Sequence, residues 1–112
     1  MKKQYMADFE TAMWLPNETY VWAWAYCEIG NEENIHYGNS IESFFEELEK
    51  NKNSTWYFHN LKFDGEFIIY YLLENGFTYI NDRKDADTKT FTTLISDMRS
   101  ILYNRNLFLS KE

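Results

Sequence analysis

The sequence predicts one α/β domain in which a three-strand meander leads into helix, strand and helix, with short additional strands at the C-terminal end. Three observations carry this. Residues 19–29 alternate as a strand does, with Trp22, Trp24 and Tyr26 on one face and Val21, Ala23, Ala25 and Cys27 on the other. Ile41, Phe44, Phe45 and Leu48 recur at i, i+3, i+4, i+7, the spacing of one helix face. The apolar stretch Trp56–Phe58 stands immediately before a second helical pattern, and a strand reached through a helical crossover is expected to run parallel to a neighbour.

Taken in order, residues 3–11 form the first strand, and Pro16-Asn17-Glu18 supplies the turn into the second. Apolar side chains on both faces of residues 19–29 predict a central strand covered on both sides. Gly30 to Asn34 turns the chain into a short third strand over 35–37. Asn39 or Ser40 caps a helix running to about Lys50, with Glu42, Glu46, Glu47 and Glu49 on its solvent face. The polar run Asn51 to Ser54 ends it, and Trp56 to Phe58 is the next strand. A second helix spans about Asp64 to Glu74, turning Phe67, Ile68, Tyr71 and Leu72 inward, and Asn75-Gly76 closes it with the left-handed cap that glycine favours. Short strands follow at 77–80, 91–96 and 101–103, with a charged loop over 81–87 and a connection near 97–100. Residues 104–112 carry Leu107, Phe108 and Leu109 without helical periodicity, and no element is assigned there.

The chain has 112 residues, 45% of them hydrophobic and 20% aromatic, enough for one core built mainly from aromatic rings. No apolar run approaches the roughly 20 residues that a membrane-spanning helix needs, so no membrane partner is expected. Cys27 is the single cysteine and is expected to be a small core residue. The net charge is −7, from 18 acids and 11 bases. A face that binds nucleic acid by neutralising phosphates is basic, so this balance points to bound divalent cations, to a basic protein partner, or simply to a solubilising surface.

Two places concentrate the acids that could do chemistry. Asp8 and Glu10 lie two residues apart in the first strand and share a face. Asp64 stands at the start of the second helix, where unpaired amides and the positive end of the helix dipole are expected to hold it ionised and aimed outward. Three carboxylates converging on one point repel, which raises their pKa values unless a cation offsets the charge. Magnesium or manganese prefers such oxygens, and two ions about 4 Å apart can orient a water and stabilise a leaving oxygen in phosphodiester cleavage.

The run Asp8-Phe9-Glu10-Thr11, followed by Tyr57-Phe58-His59-Asn60-Leu61-Lys62-Phe63-Asp64-Gly65, resembles the first and second exonuclease motifs of protein-primed family B phage DNA polymerases. The likeness continues through Glu66 to Ile69, Asn75-Gly76-Phe77 and Thr90 to Ser96. It implies a ribonuclease H-like mixed sheet of the DnaQ type and a two-metal 3′–5′ exonuclease site. Asp8 would bridge two Mg2+ or Mn2+ ions, Glu10 would bind one of them and the attacking water, and Asp64 would hold the other. Thr11, Asn60 and Phe63, and more loosely His59 and Phe67, match residues that grip single-stranded DNA. A Phe beside such a site suits base stacking, and an Asn amide suits sugar or phosphate oxygens. For His59 a strand-end hydrogen bond, and for Phe63 and Phe67 helix packing, are the competing roles.

The family's third motif is a Tyr followed four residues later by an Asp. Only 48 residues follow Asp64, and neither tail tyrosine, Tyr79 or Tyr103, has an acid at that spacing. The resemblance therefore implies a domain truncated before that motif, from a phage or prophage, with weak or no nuclease activity, working in the bacterial host cytoplasm. Apolar surface left uncovered by the truncation is expected to be hidden by a homodimer, by the tail or by a partner. The alternative is an acidic interaction protein, such as an anti-CRISPR inhibitor, that occupies the nucleic-acid groove of a host nuclease complex.

Overall fold

The structure, a computed structural model, describes residues 3–15, 18–93, 100–104 and 106–111. It contains β1 (Lys3–Leu15), β2 (Glu18–Glu28), β3 (His36–Gly38), α1 (Ile41–Lys50), β4 (Ser54–Phe58), α2 (Leu61–Glu74), β5 (Thr78–Tyr79), a 3-10 turn (Arg83–Asp85), β6 (Thr90–Thr93), β7 (Ser100–Tyr103) and β8 (Leu107–Lys111). The strands form one mixed sheet in the order β3-β2-β1-β4-β8-β7-β6-β5. The meander β1-β2-β3 is antiparallel, whereas β4 runs parallel to both β1 and β8. The parallel crossover expected for β4 is thus observed, and α1 provides it.

α1 begins where its cap chemistry places it. The Ser40 hydroxyl accepts the Ser43 amide at 3.1 Å, and Phe44, Phe45 and Leu48 are buried beneath the glutamate face. Phe44 packs edge-on against Phe9, Trp56 and Phe58, which fastens the helix to β1 and β4. Phe45 stacks on Tyr71 at 4.0 Å, so α1 and α2 lie side by side on one face of the sheet. Gly76, at φ +83°, ends α2 as the Asn75-Gly76 pair predicts. The other face is covered at one end, where Arg83 lies 5.1 Å from the Phe108 ring and Leu102 and Thr92 are buried. Towards the meander, Met6, Ala25, Cys27 and Tyr57 stay half-buried on that second face.

Four expectations are corrected. β2 is one strand from the edge rather than central, and its second face is only half covered. A register shift between Glu10 and Thr11 leaves Trp22 as an extra residue between Val21 and Ala23, and Trp22 is exposed. α2 starts at Leu61, three residues before Asp64, because Leu61 is apolar and fully buried and the helix must already be wound to seat it. The tail is not irregular: Leu107–Lys111 is a strand inserted between β4 and β7, with Leu107 and Leu109 fully buried. The expected turn at Pro16-Asn17 and the expected strand end at residues 94–96 lie outside the described residues.

Candidate functional site

The site forms where β1 outruns its neighbour. β1 pairs with β4 only from Lys3 to Ala7, opposite Ser54 to Phe58, and then continues beside β2 alone. Tyr5, Ala7 and Phe9 turn into the core, so the period of two sends Asp8 and Glu10 to the other side, where both are exposed. Thr11, just past the register shift, is half-buried.

β4 ends at Phe58, and His59 and Asn60, both exposed, carry the chain into α2. Asn60 is the N-cap by its backbone: its carbonyl accepts the amides of Phe63 at 3.1 Å and Asp64 at 2.9 Å. Its side chain makes no capping bond. Asp64 therefore sits within the first turn, facing the sheet. It is 3% exposed, its carboxylate accepts the Phe9 backbone amide, and its Oδ2 is buried with no hydrogen-bond partner. Burial, with the negative charges of Asp8 and Glu10, pushes the Asp64 carboxyl up to about 6, and the Phe9 hydrogen bond only partly opposes this. The expectation of an acid aimed at solvent is overturned, because the sheet and not the helix mouth is its environment. The expected rise from like charges is seen at Asp64.

Gly65 packs against this part of the sheet, where a Cβ would make ordinary contact at 3.4 Å with Ile101 Cδ1 and 3.6 Å with the Leu61 side chain. On the outer side of the same turn, Phe63 is 44% exposed and meets half-buried Phe67 edge to face at 5.4 Å. Asp8, Glu10 and Asp64 are thus brought within electrostatic reach, with Phe63, Asn60 and His59 on the exposed segment that bears Asp64.

The donor chemistry suits a hard divalent cation: an orphaned, buried carboxylate oxygen costs free energy and is relieved by a cation or a proton. Among the described residues, no three His, Cys, Asp or Glu side chains are already drawn together around one metal position. The feature that side-chain reading misses is the Phe9 amide, which orients Asp64. Its one sequence signal is the length of the first strand compared with the short stretch around Trp56.

No family model matches the chain. DNA polymerases of Bacillus phages Nf and B103 are each 40% identical to it over 97 residues, which is 87% of this chain and 16% of theirs. The chain thus spans 16% of the length of these curated relatives. Phi29 DNA polymerase complexed with single-stranded DNA superposes with a TM-score of 0.85 at 30% identity, covering 99% of this chain and 21% of that one. The same polymerase complexed with primer-template DNA and incoming nucleotides gives a TM-score of 0.84 at 30% identity, covering 99% and 20%.

Proposed function

We propose, from the homology of this chain to the N-terminal region of phi29-family DNA polymerases, that it is an exonuclease-type domain that binds divalent metal and single-stranded DNA and has weak or no nuclease activity of its own. The observation that carries this reading is Asp64, buried with an unpartnered oxygen and within reach of Asp8 and Glu10. Asp8, Glu10 and Asp64 would hold Mg2+ or Mn2+, which when bound supplies charge stabilisation for a developing oxyanion and a more acidic water.

The chain's own residues do the rest. The Phe9 backbone amide favours the ionised Asp64 carboxylate and so helps to hold it beside β1. Phe63 offers an exposed ring to a base at the strand end, and stacking of this kind contributes about 1–3 kcal/mol per base without selecting sequence. Asn60, His59 and Thr11 lie on the segments flanking the carboxylates, where sugar and phosphate oxygens would pass. Three carboxylates supply several kcal/mol less charge stabilisation than a two-metal site with a fourth acid, so Asp8, Glu10 and Asp64 alone would support a rate lower on the order of thousands-fold.

Calorimetry with Mn2+ and with an eight-nucleotide oligo-dT, on the wild type and on Asp8→Ala, tests this. Binding of the ion that Asp8→Ala abolishes, together with oligo-dT binding strengthened by the ion, is the expected result. Absence of both binding events sinks the reading, and so does degradation of labelled oligo-dT that is undiminished in Asp8→Ala.

A further inference from the structure

A second groove, of about 560 Å³, lies between the start of β2, the N-terminal end of α1 and the middle of α2. Tyr20, Trp22, Phe67 and Tyr70 supply aromatic walls, and Glu42 and Glu74 supply the charge. No lysine or arginine is among its described lining residues. Three of its rings have much of their surface open, Tyr20 at 41%, Trp22 at 48% and Tyr70 at 66% exposure. Trp22 owes its position to the register shift that makes it the extra residue of β2.

Among the described residues, the β2 backbone beside the groove has no strand on its outer side. β3 pairs with β2 only at Trp24 to Tyr26, and then the chain leaves through Asn39 and Ser40 into α1. No described strand lies along the outer edge of β2 from Thr19 to Ala23. An extended peptide can continue the sheet where β3 stops, taking its affinity from main-chain hydrogen bonds and its selectivity from side-chain pockets.

Charge decides what kind of chain fits. Two carboxylates without a compensating cation repel phosphates, which disfavours a nucleic-acid strand. The same carboxylates beside exposed indole and phenol faces suit a guanidinium, which stacks on the ring while its donors reach the acids. We propose that this groove binds an extended, arginine-bearing segment of a partner protein, added as a strand to the edge of β2, with arginine against Trp22 and Tyr70 and its charge met by Glu42 and Glu74. This groove borders the carboxylate site through Phe67, which meets Phe63, but contains none of Asp8, Glu10 and Asp64, and peptide binding in it does not require metal there.

The test uses the full chain and a fluorescein-labelled octapeptide of alternating arginine and threonine, followed by anisotropy at fixed salt. Glu42→Lys with Glu74→Lys is expected to weaken binding about tenfold, and Trp22→Ala or Tyr70→Ala about fivefold. Glu32→Lys with Glu33→Lys makes the same change in net charge on the remote turn, and is expected to weaken binding less than about twofold. Backbone amide resonances of Thr19 to Ala23 shift on peptide addition, a readout independent of whether any variant folds well. Equal loss in the Glu32/Glu33 variant overturns the proposal in favour of plain charge attraction. It is also overturned if those amides do not shift, or if Trp22→Ala weakens binding of an eight-nucleotide oligo-dT instead of the peptide.

Discussion

The backbone amide of Phe9 donates to the carboxylate of Asp64, joining the strand that bears Asp8 and Glu10 to the first turn of the helix after β4. The contact links two segments more than fifty residues apart in sequence, which the β1–β4 pairing brings together. It leaves the second Asp64 oxygen buried and unpartnered.

The contribution of Asp64 to stability without metal is expected to fall as pH rises through the range from about 4 to 6. Glu47 contributes in the opposite sense, because the Tyr26 hydroxyl holds its carboxyl below its ordinary value. The Asp64 carboxyl is raised to about 6 from an ordinary 3.8, so in that window the folded state holds a proton that the unfolded state has released. Below the window both states are protonated and above it both are ionised, so the full penalty, about 3 kcal/mol, is present at pH 7. Asp64→Asn keeps an acceptor for the Phe9 amide and removes the charge. It is expected to be more stable than the wild type at pH 7.5 in a chelator, by about 1–3 kcal/mol, and equal to it near pH 4. Urea denaturation of both proteins at the two pH values measures this, and a stability difference between Asp64→Asn and the wild type that does not grow from pH 4 to pH 7.5 contradicts it.

Added Mn2+ is expected to reverse that pH slope, because a cation stabilises the ionised carboxylate and only the folded state presents the site. The melting temperature at pH 7.5 should rise with ion concentration in the wild type and stay flat in Asp8→Ala and Asp64→Asn. Equal shifts in all three proteins would assign the effect to the general acidity of the surface.

How much of this was legible in the sequence depends on where the deciding information lies. α1 was fully legible, since Ser40, Phe44, Phe45 and Leu48 act through local spacing. The pairing of Asp8 with Glu10 was legible too, because a strand alternates whatever its neighbours are. The start of α2 was not: an acid in the first turn reads as dipole compensation, whereas here the burial of Leu61 and Asp64 against the sheet sets the helix. β8 was hidden for another reason. Five residues such as Leu107–Lys111 have too little pattern to distinguish a strand from a loop, and their identity comes from β4 and β7.

Gly38→Ala is expected to destabilise the protein by about 2–3 kcal/mol through overpacking at the edge of the meander. A Cβ there would lie 2.2 Å from Trp24 Cζ2, and the indole is pinned by hydrogen bonds from Nε1 to the Ser40 carbonyl at 2.8 Å and Ser43 Oγ at 2.9 Å. Relieving the clash moves the ring and breaks contacts that hold the α1 cap. A lower urea midpoint with a changed near-ultraviolet dichroism signal is the expected observation, and an unchanged midpoint would show that the ring has room to yield.

The last strand should matter more to folding than its position in the chain suggests. Leu109 is fully buried, opposite Trp56 on one side and Ile101 on the other, so Leu109→Ala leaves a cavity in the middle of the sheet. A cost of about 3 kcal/mol is expected from lost burial and the residual void. Ending the chain at Asn104 removes β8 altogether, separating β4 from β7 and exposing Trp56 and Ile101, which no propensity within the remaining strands can offset. That shortened chain is expected to lack a cooperative urea transition, and Leu109→Ala to retain one at a lower midpoint. Cooperative unfolding of the shortened chain near the wild-type midpoint would mean that β1, β4 and the two helices form a core sufficient by themselves.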